Sequence, residues 1–221
     1  MYTRAKSGKD NSVIYYDNKE NMIIRTGGSR AWRNNNPGNI RPGGFSSKYG
    51  AIGSAGGFAI FPTYQAGRQA LAALLKGKTY SGLTLFSAIA RYAPSHENNT
   101  ENYRKLIKKL TGLDLDKKIG NLTDAEFNSV LEAIQIIEGF TKGKEQFIER
   151  SRIIDADHNK KGSLEKFKLE NGKWLTRSEI IPMLLADKII NAVYVRKNKK
   201  SYVRSKPDKT DVNNFSKMTE T

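Results

Sequence analysis

"LTDAEFNSVLEAIQIIEG", residues 122–139, opens with Thr123 and Glu126 at capping-box spacing and closes on a glycine, so it predicts one helix with both ends marked. At about 100° per residue, Phe127, Val130, Leu131, Ile134 and Glu138 share one face, while Glu132 points elsewhere. An acid therefore ends the apolar stripe. Burial there disfavours the carboxylate, and the negative end of the helix dipole acts in the same direction, so Glu138 has the setting of a general acid. Spacing alone leaves a plainer reading open: a surface Glu at a fraying helix end, or one paired with Lys142.

Three more helices are predicted upstream. "PTYQAGRQALAALLKG" offers Thr63 as N-cap, Leu71, Leu74 and Leu75 as a stripe, and Gly77 as a stop. "LTLFSAIARYAP" starts at Thr84, turns Leu85, Ala88 and Ile89 inward and must end before Pro94. "NNTENYRKLIKKLTG" is capped by Asn99 or Thr100, carries Tyr103, Leu106, Ile107 and Leu110 on one face and closes at Gly112. Before these helices, from Trp32 to about Gly57, Gly, Asn, Ser and Pro dominate, which predicts a long structured loop. Its densest part is "RNNNPGNIR", residues 33–41. Residues 1–27 are polar apart from "SVIYY" and read as an arm or linker.

After about Ser151 the texture changes. "SLEKFKLENGKWL" predicts a hairpin at Asn171-Gly172, "TRSEIIPMLLADK" a short helix with a capping box from Thr176 to Glu179, and "INAVYVRKNKKSYVRS" a second hairpin. Pro182 predicts a kink or a late start of that helix. The domains expected are thus an arm at 1–27, a main domain at 28–148 and a small α+β module with a polar tail at 149–221.

The composition limits the chemistry. With 221 residues and 38% hydrophobic content the chain can bury a core, and a formal net charge of +16 favours polyanionic partners: nucleic acid, acidic membrane faces or bacterial wall polymers. Cysteine is absent, which removes disulfides, thiolate nucleophiles and Cys-ligated zinc. No apolar run has the length of a membrane span, and the first twenty residues lack the apolar core of a signal peptide. "DADHNKKG" echoes a calcium loop, but Lys160 and Lys166 stand where that loop needs Gly and a bidentate Glu. No metal and no cofactor is expected.

In order along residues 30–142, "RNNNPGNIR", "YGAIGSAGGFAIFPTYQAGRQAL", "YAPSHENNTENY" and "AIQIIEG" resemble the lysozyme-like muramidase domains of phage virion proteins and of effectors delivered by the type VI secretion system. "IIEG" comes last, where such enzymes usually carry the acid first, so the similarity implies a circularly permuted core in which Glu138 returns to "RNNNPGNIR". Relatives often read His-Glu-Asn-Gly where this chain has Ile137-Glu138-Gly139, which removes one neighbouring polar group. The fold class implied is mainly α, a lysozyme-like (α+β) catalytic domain with a Gly/Asn-rich loop region, followed by the small α+β module. The segment from Trp174 to Phe215 is similar to a small bacterial module of unknown function, for which a binding role is expected.

The resemblance implies a peptidoglycan glycosidase that cleaves between MurNAc and GlcNAc, as a hydrolase or a lytic transglycosylase, with Glu138 as the acid. Glu97, just before a helix N-terminus, is the best candidate for a second carboxylate, ahead of Glu101 in the first helical turn, with a positioned water as the alternative; its plainer reading is a helix-end charge. Asn34, Asn35, Asn36, Gly38, Asn39 and Arg41 would wall the glycan cleft, Phe58, Phe61 and Tyr92 would offer faces to pyranose rings, and Asn99 and Tyr103 complete the expected substrate contacts. For "RNNNPGNIR" an Asx-rich framework holding helices together stays open. The expected partners are peptidoglycan, an immunity protein and a secretion carrier, with no nucleic acid and no membrane insertion. The expected location is the periplasm or wall of a target bacterium, reached without a signal peptide, or a virion. Two rival functions remain: a non-catalytic wall-binding or apparatus component, and a nucleic-acid-binding protein favoured by the charge.

Overall fold

Residues 1–27, expected as an arm or linker, instead form three strands: β1 (Tyr2–Ser7), β2 (Val13–Asp17) and β3 (Met22–Thr26). The physical reason is in "VIYYD", where Val13 and Tyr15 are buried on one face of the strand and Tyr16 on the other, rather than forming a solvated patch. The computed structural model describes residues 1–96, 99–160, 162–197, 200–206 and 215. The chain divides into two compact units, Met1–Asn18 with Ile23–Gln146, and Lys19–Met22 with Phe147–Thr221.

After β3 come two short helices, α1 (Arg30–Arg33) and α2 (Gly44–Lys48), and a tight hairpin, β4 (Gly53–Ala55) and β5 (Phe58–Ile60). Four longer segments follow: α3 (Tyr64–Lys76), α4 (Leu85–Tyr92), α5 (Thr100–Thr111) and, after a 3-10 turn at Ile119–Asn121, α6 (Asp124–Ile137). Then β6 (Lys144–Ile148) joins the N-terminal strands in the sheet order β1-β2-β3-β6. The sequence stops and starts are physical caps. The side chains of Thr63, Thr84, Asn99 and Thr123 accept backbone N–H bonds at the four helix starts, and Thr123 and Glu126 form the capping box. Gly112 closes α5 in the left-handed conformation at φ +70.

The apolar faces of α3 to α6 meet in one core, where Leu71, Leu75, Leu85, Ile89, Ile107, Phe127, Leu131 and Ile134 are buried. Leu110, expected on the inner face of α5, is instead 42% exposed, in the last turn of that helix. A second, smaller cluster joins the N-terminal strands to the hairpin: Val13, Tyr15, Ala55 and Ile60. Helix α3 runs close to the asparagine-rich loop at Gly67, where a Cβ would lie 1.8 Å from the Asn35 carbonyl oxygen.

The second unit contains β7 (Ile153–His158), β8 (Leu164–Leu169), β9 (Trp174–Thr176), α7 (Arg177–Leu185), β10 (Ala192–Lys197) and β11 (Lys200–Ser205). Strands β7, β8 and β9 make an antiparallel sheet and β10 with β11 a hairpin, around Ile153, Phe167, Leu175, Ile180, Ile189 and Val203. Gly172 turns the β8–β9 hairpin at φ +85, and Thr176 and Glu179 cap α7. The helix runs through Pro182 rather than starting after it. Arg150, with its side chain 4% exposed, donates to the Asp187 carboxylate at 2.8 Å and to its backbone oxygen at 2.7 Å, so its charge is matched where it is buried.

With 34% helix, 28% strand and four small antiparallel sheets among the described residues, the fold is α+β and not mainly α as the sequence reading held. The strands it missed are short and carry polar residues on their open faces, so they lack a long alternating signature.

Replacing Gly67 by Ala tests the close approach at α3. Helix propensity favours Ala by about 1 kcal/mol, but overpacking against a fixed carbonyl costs about 1–3 kcal/mol. The expected outcome is a lower urea midpoint; an unchanged or raised midpoint would show that the loop can give way.

Candidate functional site

The three consecutive asparagines end α1 and are buried, Asn34 at 1%, Asn35 at 4% and Asn36 at 0% exposure. Two positions in this loop are left-handed, Asn35 at φ +51 and Asn39 at φ +44, a region asparagine enters at less cost than most L-residues. Asn34 Nδ2 donates to the Ala55 carbonyl at 3.1 Å, and Asn35 Nδ2 to the Phe61 carbonyl at 3.1 Å. Asn36 donates to the carbonyls of Ile40 and Ala59 and accepts from the Ile40 N–H, each at 2.9 Å. These amides bond backbone groups of the β4–β5 hairpin, of Phe61 and of Ile40, and so tie the loop to them.

The expected glycan contacts at Asn35 and Asn36, and with them Asn34, are therefore corrected: their hydrogen-bonding groups serve the framework. Phe61 is likewise corrected, since it is wholly buried in the helical core and offers no face to a ligand. Asn99 is not among the residues lining the cleft; its side chain caps α5 by accepting from Asn102 N at 2.9 Å. Glu97 lies outside the described residues.

The remaining residues converge. A cleft of about 480 Å³ is lined by Gly38, Asn39, Arg41, Phe58, Tyr92 and Glu138. Half-buried Glu138 is the C-cap of α6, one turn beyond buried Ile134, so the helix delivers it from the core to the cleft. Asn39 Nδ2 donates to its Oε2 at 2.7 Å, and Tyr103 of α5 donates its hydroxyl to Oε1 at 3.1 Å. The carboxylate is thus held between two segments that are 99 and 35 residues away in sequence. Glu132, in contrast, is exposed and faces Arg68 at 3.7 Å.

Tyr92 donates its hydroxyl to the Gly38 carbonyl and packs edge-on to Tyr103, with centroids 6.2 Å apart. Gly38 leaves the space this requires, because a Cβ there would lie 2.6 Å from Leu71 Cδ1 and 2.9 Å from the Tyr92 hydroxyl. Burial pushes the phenols of Tyr92 and Tyr103 well above their usual range; for Tyr103 the neighbouring Tyr92 adds next, and the Glu138 charge acts the same way on both. Both therefore remain donors.

Sequence reasoning missed Arg30 and Arg91, which also line the cleft. The Arg30 guanidinium stacks 3.8 Å from the Phe58 ring centroid and donates to Asn39 Oδ1 at 3.4 Å. Burial lowers its pKa, against which the Glu138 charge acts. It also missed Arg25, whose Nη1 donates to the Trp32 carbonyl at 2.8 Å and to Asn35 Oδ1 at 2.6 Å, while Nε reaches Glu145 at 2.7 Å. Tyr15 of β2 donates to the Arg33 carbonyl at 2.6 Å. The N-terminal strands thus brace the loop from behind. Only the short apolar patch "SVIYY" in the polar N-terminal stretch hinted at this in the sequence.

Among the described residues, no group of three His, Cys, Asp or Glu side chains is arranged to hold a metal ion, and "DADHNKKG" begins as strand β7. Nor is any described helix long and apolar enough to cross a membrane. Residues 152–217 match the model of a family described as a protein of unknown function (DUF3892). Comparison with curated proteins finds no match for the chain.

Two measurements check this geometry. Asn36→Ala strands one buried backbone group, the Ile40 N–H, because the Ile40 carbonyl keeps the Ala59 N–H and the Ala59 carbonyl keeps Asn34 Nδ2, so a drop of about 1–3 kcal/mol in unfolding free energy is expected; an unchanged free energy would deny the framework role. For the tyrosines, raised folded pKa values mean that the unfolded chain releases protons first, so stability holds below about pH 10 and falls as pH rises beyond it. Absorbance at 295 nm should show Tyr15, Tyr92 and Tyr103, of ten tyrosines, ionising only when the fold is lost. Full ionisation of the folded protein near pH 10 would contradict the burial.

Proposed function

We propose that this protein is a peptidoglycan glycosidase, acting on the bond between MurNAc and GlcNAc, with Glu138 as general acid. What carries the reading is the Glu138 carboxyl at the cleft, hydrogen-bonded by Asn39 and Tyr103, because these three residues come from the separate segments that resemble lysozyme-like muramidases. In this mechanism the bond from the anomeric carbon to the glycosidic oxygen breaks, and the Glu138 proton goes to the leaving oxygen. Water adds to the anomeric carbon, and its proton returns to the carboxylate or to a second base. In the transglycosylase variant, the sugar's own 6-hydroxyl takes the place of water and an anhydro product forms.

Asn39 and Tyr103 fix which way the carboxyl faces, while the Phe58 and Phe45 rings beside it suit sugar faces. Arg30, Arg41 and Arg91 give the cleft a cationic rim that matches an acidic wall polymer. Glu138 is the only carboxylate among the described lining residues, so the second base is Glu97 or a positioned water. The biological setting that goes with this activity is an antibacterial secretion effector or a phage-type lysin acting at the wall of a target cell, with an immunity protein and a carrier as partners.

The test is mass spectrometry of soluble fragments from purified peptidoglycan, with Glu138→Gln beside the wild type. Gln keeps the shape and one acceptor for the neighbouring donors but has no acidic proton, so the fold should survive while product release falls about 10²–10⁴-fold. Reducing ends would mark a hydrolase and anhydro ends a transglycosylase. Equal release by the variant would remove Glu138 from the chemistry, and no release by either protein would favour a wall-binding component.

A further inference from the structure

A second cavity of about 320 Å³ lies beside α1, lined by Ser7, Asn11, Ser12, Arg30, Arg33 and Gly56. Arg30 lines this cavity and the Glu138 cleft alike. The Arg30 side chain whose guanidinium stacks on Phe58 is thus shared by the two cavities, and Gly56 beside its stem carries no side chain, so that even a Cβ there would make only an ordinary contact, 3.7 Å from Arg30 Cδ.

We propose that the two cavities form one continuous groove, in which the N-terminal β1–β2 hairpin supplies a subsite for a further saccharide unit of the strand, together with its acidic substituent. The chemistry of the walls supports this choice of ligand. Hydroxyls of Ser7 and Ser12, the amide of Asn11 and two guanidinium groups suit sugar hydroxyls, N-acetyl groups and a carboxylate, and the described lining holds no carboxylate that would repel an acidic sugar. The subsite is also firmly built. Arg33 is held by the carbonyls of Gly27 and Gly28 at 2.8 and 2.7 Å, and the β1–β2 turn closes through Gly8 N–H to the Ser12 carbonyl at 2.8 Å. Neither cavity exceeds the size that holds one small ligand, about 300–1,000 Å³, so a polymer gains contacts only by occupying both.

This inference rests on the glycosidase reading for the identity of the polymer, but its test is separable. Muropeptide saccharides of two, four and six sugar units are titrated calorimetrically into Glu138→Gln, which halts turnover, and into the same protein with Ser7→Trp. Affinity should rise about tenfold or more from the disaccharide to the longer oligomers. Trp at position 7, an exposed strand site that tolerates an aromatic, should abolish that gain while changing disaccharide affinity less than about twofold; Ser7→Gln, a smaller change, should give part of the loss. Affinity independent of length, equal weakening of all lengths, or no binding would each overturn the groove. Length-dependent binding sensitive to position 7, with no products from the wild type, would keep the groove and remove the glycosidase; products with the same KM at every length would do the reverse.

Discussion

The buried amide of Asn36 is the constraint on which the site depends. Its three hydrogen bonds tie the loop after α1 to the β5 strand and to Ile40, so the chain leaves this point in one direction only. Two residues later Gly38 fits under Tyr92 and against Leu71, and one residue further Asn39 reaches Glu138. A rotation at Asn36 would displace each of these in turn. Because the amide is buried, such a rotation costs the desolvation of the amide itself and of the Ile40 N–H that it abandons.

Around this pivot the molecule uses charge sparingly and polar shape heavily. Among the described contacts, Glu138 accepts its hydrogen bonds from an amide and a phenol, while the nearby Arg30 acts on it through charge. The arginines stand further out: Arg30 stacked on Phe58, Arg41 within 5.5 Å of the same ring, Arg91 beside Tyr80. Separating orientation from charge in this way suits a cleft that must both grip an acidic polymer and keep one carboxyl available.

Helix ends were the most readable features because their determinants are local. Thr63, Thr84, Asn99 and Thr123 each cap a helix through a side chain within three residues of the N–H that it satisfies, so sequence spacing is enough. The stripe ending in Glu138 was legible for the same reason, since 3.6-residue periodicity needs no partner to be seen. The N-terminal strands were not. Tyr15 gains its burial from Ala55 and Ile60, and its hydroxyl from the Arg33 carbonyl, none of them near it in sequence.

The sequence by itself determined where helices begin and end, that Glu138 closes an apolar face, that asparagine and glycine fill the left-handed loop positions, and that the chain is strongly cationic. Only the tertiary structure decided which polar residues of the loop look outward. In "NNNPGN" all four asparagines are alike by composition, yet Asn34, Asn35 and Asn36 turn into the protein to satisfy carbonyls 21 to 26 residues away, and Asn39 alone reaches the carboxylate. An amide can bond a backbone group or a ligand equally well; which one it meets is set by the long-range packing of the hairpin and α6, and that information resides in no local pattern.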